Sequence, residues 1–160
     1  MTLHIRAGEP ADVAVIAQLI RDLAHYEKLE HEVTMTEEKL TDSLFGERRY
    51  AETLIAEDSG EPVGFALFFH NFSTFLAQPG IYLEDLFVVP ARRGQGIGQA
   101  LLKALARTAA ERGCGRLEWA VLDWNATAIG FYERQGAAVL PDWRICRMTG
   151  DALARLATRP

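Results

Sequence analysis

The stretch 81–98, Ile81-Tyr82-Leu83-Glu84-Asp85-Leu86-Phe87-Val88-Val89-Pro90-Ala91-Arg92-Arg93-Gly94-Gln95-Gly96-Ile97-Gly98, decides how this chain folds. From Ile81 to Val89 it is strongly apolar, broken only by Glu84 and Asp85, and Pro90 stops it. That is the length and composition of a largely buried strand. Beyond the glycines, Ile97, Leu101, Leu105 and Ala109 recur at helical spacing. A strand therefore enters a glycine-rich turn, and a helix leaves it.

Such a turn is an anion site. The first amides of a helix have no intrahelical acceptor, and the helix end is positive. Glycines let the backbone approach a phosphate with no Cβ in the way. Arg92 and Arg93 add positive charge. A nucleoside triphosphate loop would need a lysine and a hydroxyl after its last glycine, but Gln99-Ala100 follows Gly98. A dinucleotide fingerprint would place its third glycine at Gln99 or Leu101. Glu118 lies at a suitable distance for a ribose carboxylate, but within a strand rather than at its end. The pattern that fits is Arg-x-x-Gly-x-Gly, met by Arg93, Gly96 and Gly98.

Working outward, Leu3 to Arg6 alternates as a short strand, and Pro10 opens a helix reaching about Tyr26. Thr34 or Thr36 can cap a second helix that ends near Phe45 and Gly46. Thr53–Ala56 and Val63–Phe69 read as a hairpin about Asp58-Ser59-Gly60-Glu61-Pro62. Residues 71–80 read as a loop ending in Pro79-Gly80. Leu117–Leu122 is the next strand, and Asn125 opens a helix that Gly136 ends. Two short strands are expected at Ala137–Val139 and Trp143–Met148, before a helical tail. No repeat or linker divides the chain, which reads as one domain over 1–160.

The 160 residues suffice for a real core. The formal charge of -5 argues against nucleic acid as the main partner and fits a cationic small molecule better. The N-terminus does not read as a signal peptide, and no apolar run is long enough to span a membrane. A cytoplasmic protein is the expectation. Cys114 and Cys146 form no C-x-x-C, and His4, His25, His31 and His70 are scattered, so no metal site is expected.

The Arg93–Gly98 turn resembles the pyrophosphate-binding motif of the GNAT N-acetyltransferase superfamily, and the order of elements is similar too. Tyr82-Leu83-Glu84-Asp85-Leu86-Phe87-Val88, Leu23-Ala24-His25-Tyr26-Glu27, Trp124-Asn125 and Phe131-Tyr132 narrow the resemblance. They look like the diamine (spermidine/spermine) and thialysine acetyltransferase branch, over nearly the whole chain. The resemblance implies an α/β (α+β) fold: a mixed, mostly antiparallel sheet of about six to seven strands flanked by helices. It implies acetyl-CoA as co-substrate, a small primary amine as acceptor, and a homodimer.

Acetyl transfer to an amine poses two proton problems. A lysine-like amine is protonated near neutral pH and must lose a proton before attack. The departing thiolate must then gain one. Glu84 is the candidate base: it interrupts an apolar strand, where burial would raise its pKa. Asp85 points to the opposite face by alternation and reads as structural, pairing with an arginine. The resemblance makes Tyr132 the acid that protonates the sulfur.

By the same resemblance the cofactor is held by Leu86, Phe87 and Val88 through backbone amides, by Arg93, Gly94, Gln95, Gly96, Ile97, Gly98 and Gln99, and by Asn125, which also caps its helix. Tyr26, Glu27 and Glu84 would contact the acceptor. Asp142, before a strand-anchoring Trp143, is the late acidic candidate. Glu30 and Glu32 read as a solvated acidic loop. The 71–78 loop carries no acid, unlike that of polyamine enzymes, and favours a lysine-like amino acid or small diamine. A non-catalytic acyl-CoA sensor and a protein lysine acetyltransferase are the competing readings.

Overall fold

The computed structural model describes Met1–Pro160, which pack into two compact units, Met1–Ala120 and Val121–Pro160. The first unit carries a five-stranded sheet: β1 (Leu3–Ala7), β2 (Glu52–Asp58), β3 (Glu61–Ser73), β4 (Gln78–Val88) and β5 (Leu117–Glu118), in that spatial order. β1 to β4 form an antiparallel meander, and β5 runs parallel to β4.

The helices of this unit are α1 (Val13–Tyr26), α2 (Glu37–Phe45) and α3 (Ile97–Glu111). The amphipathic spacing of α1 buries Val13, Ile16, Ala17 and Leu19. With Leu40 and Leu44 of α2 they pack on Ile55, Phe65 and Phe87. Those three lie opposite one another across β2, β3 and β4, so one cross-strand row forms the floor under α1. Truncating Phe65, which is wholly buried, would cost about 3–5 kcal/mol. α3 buries Ile97, Leu101, Leu102, Leu105 and Ala109.

α1 is fixed at its start by charge. Arg6 of β1 donates to both carboxylate oxygens of buried Asp12, at 2.7 and 2.8 Å, and to Glu57 of β2 at 2.8 Å. The guanidinium holds the Asp12 carboxyl below its usual range. Thr36 caps α2, its hydroxyl accepting from the Lys39 N–H at 3.2 Å.

Two features depart from the sequence expectation within this unit. Residues 71–80 are not a loop: β3 and β4 run on until Ser73 faces Gln78. Pro79-Gly80 sits inside β4, where a Cβ on Gly80 would lie 2.4 Å from the Asn71 side chain and 3.3 Å from the Arg116 carbonyl. That glycine serves close approach between strands rather than a turn. The strand expected over Leu117–Leu122 is only Leu117–Glu118, because the chain pairs with β4 at Ile81 and Tyr82 and then leaves it.

The second unit contains α4 (Ala126–Arg134) and α5 (Gly150–Ala157). The strands expected at Ala137–Val139 and Trp143–Met148 are absent, so the sheet has five strands rather than six or seven. A strand needs a ladder partner, and these segments have none. Trp143, expected to anchor a strand, is 80% exposed. No helix is long and apolar enough to cross a membrane.

Candidate active site

β4 carries a bulge that controls everything around it. Leu67 pairs with Asp85 and the next residue, Phe68, pairs with Leu83, so Glu84 has no partner in β3. One extra residue reverses which face each side chain takes on either side of it. Asp85 therefore shares the face of Leu67 and Phe87, which pack against α1. Strict alternation had put Asp85 away from the site; the bulge overrides it.

The burial expected for Glu84 falls instead on Asp85. Glu84 is exposed at the bulge, whereas Asp85 is half-buried, and no arginine pairs with it. Loss of solvation, with Glu84 and Glu27 as negative neighbours, pushes the Asp85 carboxyl up to about 7. Burial also pushes the Glu27 carboxyl up. Glu27 follows the last residue of α1, where Lys28 at φ 62 and the Leu29 N–H bonding to the Ala24 carbonyl at 2.8 Å turn the chain sharply. That turn leaves Tyr26 and Glu27 at the helix tip, with Asp85 close enough to feel the Glu27 charge. Glu30 and Glu32 are exposed, as expected, and Glu30 pairs with His25 at 2.8 Å.

The far edge of β4 is open beyond Tyr82, since β5 has departed. The backbone of Leu86, Phe87 and Val88 is paired with β3 on one side only, opposite Ala66, Phe65 and Gly64. In an antiparallel pair alternate amides point away from the partner, so this stretch carries amides that β3 does not accept from.

The glycine turn follows. Gly94 and Gly96 lie at φ 77 and φ 81, the left-handed region, and Gly96 is the N-cap of α3. Space above both is open, with nothing within 4 Å of an added Cβ. The Ala100 N–H bonds to the Gly96 carbonyl at 3.0 Å, so the Ile97 and Gly98 amides precede the helical ladder. Gln95 is exposed on the turn, and Gln99 is exposed in the first turn of α3.

The two arginines are engaged differently. Arg92 forms an ion pair with Asp58, tying the turn to β2. The Arg93 Nε donates to the Val88 carbonyl at 3.0 Å, and its guanidinium lies over the rings of Tyr26 (4.6 Å) and Phe87 (5.2 Å). Sequence reasoning missed this stack, because nothing local to Arg93 announces a ring from α1. Glu118, expected inside a longer strand, is instead the last residue of β5, where it accepts from the Asn71 amide at 3.3 Å.

The remaining expected residues lie in the second unit. Asn125 caps α4, its Oδ1 accepting from the Ala128 N–H at 3.1 Å. Tyr132, half-buried on α4, packs its ring against Phe131 at 5.4 Å. Asp142 is exposed in an irregular segment.

Comparison with known proteins adds the chemistry. Residues 16–137 match the model of the acetyltransferase (GNAT) family. The chain is 41% identical to the thialysine N-epsilon-acetyltransferase of Bos taurus, over 96% of each. It is 35% identical to the L-ornithine N5-acetyltransferase NATA1 of Arabidopsis thaliana, over 96% of this chain and 87% of that one. Among solved structures it superposes on an integron cassette protein from V. cholerae with a TM-score of 0.82, at 27% identity and 99% coverage of both. The chain belongs to the GNAT acetyltransferase family and is an N-acetyltransferase.

Proposed function

We propose that this protein transfers acetyl from acetyl-CoA to the side-chain amine of a lysine-like amino acid, such as thialysine or ornithine, or to a small diamine. The observation that carries the reading is that the glycine turn reaches the tip of α1 through Arg93 on Tyr26, beside the acidic group Glu27, Glu84 and Asp85. A cationic acceptor suits that face, and the relatives named for thialysine and ornithine support the choice. The absence of an acid in residues 71–78 weighs against long polyamines.

In this account the turn Arg93–Gln99 binds the pyrophosphate, and Asn125 holds the pantetheine arm. Tyr26, Glu27, Glu84 and Asp142 are the residues assigned to the acceptor. Glu84 takes the ammonium proton, directly or through water. The neutral amine attacks the thioester carbonyl, whose oxygen is held by amides of the Leu86–Val88 edge. The C–N bond forms, the C–S bond breaks, and the Tyr132 hydroxyl gives its proton to the leaving thiolate. The whole chain acts as one catalytic domain, as a cytoplasmic homodimer, with no metal, nucleic acid or membrane involved.

Selectivity across an amine panel tests the reading. Thialysine, ornithine, lysine, putrescine, spermidine, spermine and an aminoglycoside are compared by kcat/KM. Lysine-like amines should exceed spermine by about tenfold, the scale of one lost counter-charge. Spermine as the preferred acceptor would overturn the choice.

A further inference from the structure

One side chain joins the glycine turn to the tip of α1. Arg93 is the first residue of the Arg-x-x-Gly-x-Gly motif, and its own N–H bonds to the Pro90 carbonyl at 3.2 Å. Its Nε is anchored on the Val88 carbonyl at 3.0 Å. Its guanidinium then covers the Tyr26 ring at 4.6 Å and the Phe87 ring at 5.2 Å, both within cation–π range. Tyr26 ends α1, and Glu27 follows directly.

We propose that Arg93 is a positioning residue that couples cofactor binding at the turn to acceptor binding at Tyr26 and Glu27. The proposal rests on the cofactor and acceptor assignments given above. An anion drawn onto the turn shifts the Arg93 backbone and, through the stacked guanidinium, the Tyr26 ring. An acceptor that orders Tyr26 and Glu27 holds Arg93 in place for the anion. Such a coupling is reciprocal: each ligand must tighten the other by the same factor. Arg92 cannot take over the role, because Asp58 already pairs with it. Lysine cannot either, because it keeps the charge but lacks the planar group that stacks and donates sideways.

The test is calorimetry on the full chain with CoA, using thialysine and ornithine in turn as amine. For the wild type, saturating CoA should tighten amine binding by about two- to fivefold, the range of a cation–π contact at an exposed arginine. In Arg93→Lys that factor should fall towards one, while CoA binding alone weakens by no more than about threefold. Tyr26→Leu should lose the factor with CoA affinity unchanged, Tyr26→Phe should keep it, and the double variant Arg93→Lys/Tyr26→Leu should be no worse than the singles. A phosphate-only role predicts otherwise: Arg93→Lys weakens CoA but keeps the coupling factor, and the two substitutions add. That result overturns the proposal alone, as does a wild type that binds both ligands with a factor of one. A wild type that binds no CoA overturns the cofactor assignment and the coupling together.

Discussion

Asp85 stands directly across from Leu67 in the β3–β4 ladder, one step beyond a residue, Glu84, that stands across from nothing. This register places a carboxyl on the α1 side of the sheet, where burial and two negative neighbours favour its protonated form. Two adjacent acids thus have different environments: an exposed Glu84 at the bulge and a poorly solvated Asp85 behind it. Separating the environments of neighbouring carboxyls is a common way for a site to hold a proton and accept one.

Asp85 makes folding depend on pH in a specific direction. Its folded pKa, about 7, lies above the ordinary 3.8, so the folded protein retains a proton that the unfolded chain has released. Its contribution is therefore most favourable below about pH 4, declines between about pH 4 and 7, and is level above that. The full loss has an upper bound of about 4 kcal/mol. Asp85→Asn should raise Tm at pH 8 and leave it nearly unchanged at pH 4. Thermal melts across that range check it; an equal Tm shift at both pH values would contradict the burial of this charge.

The two proposed proton carriers should respond differently to pH. Tyr132→Phe should lower kcat by roughly tenfold or more, as expected for lost acid catalysis. Glu84→Gln should cost most at low pH, where the amine is most protonated. Steady-state kinetics from pH 6.5 to 9.5 separate them. A loss uniform in pH for Glu84→Gln would make it a binding residue, and unchanged turnover for Tyr132→Phe would remove it as the acid.

Gly96 should be irreplaceable for conformation rather than for space. An added Cβ meets nothing, but φ is 81. Gly96→Ala should therefore cost about 1 kcal/mol, or about 2–4 °C in Tm. It should also weaken CoA binding, because the amides of the turn are re-aimed. Melting and CoA titration of the same variant check both; an unaffected CoA affinity would mean that the turn holds no phosphate.

The strand at 81–88, the glycine turn and α3 were legible because their signals are local: an apolar run, a proline stop, glycines and a helical period. Asn125 was legible as a cap for the same reason. The bulge was not, because register belongs to two strands and β4 alone cannot reveal where β3 slips. Everything that depends on it was misplaced with it, including the face of Asp85 and the site of burial. Pro79-Gly80 misled for a related reason, since Gly80 serves a neighbour in space that composition does not show. The Arg93–Tyr26 stack joins residues far apart in the chain and carries no local pattern. The apolar residues at 137–148 suggested strands by composition, which does not specify a ladder partner.

Release of free CoA thiol tests the central claim most directly. Purified protein is mixed with acetyl-CoA, with and without thialysine or ornithine, and free thiol is followed over time. Amine-dependent release over many turnovers is expected, matched mole for mole by N-acetylated amine. Tight binding of acetyl-CoA with no amine-dependent thiol release from any member of the panel would contradict it and leave a cofactor sensor instead.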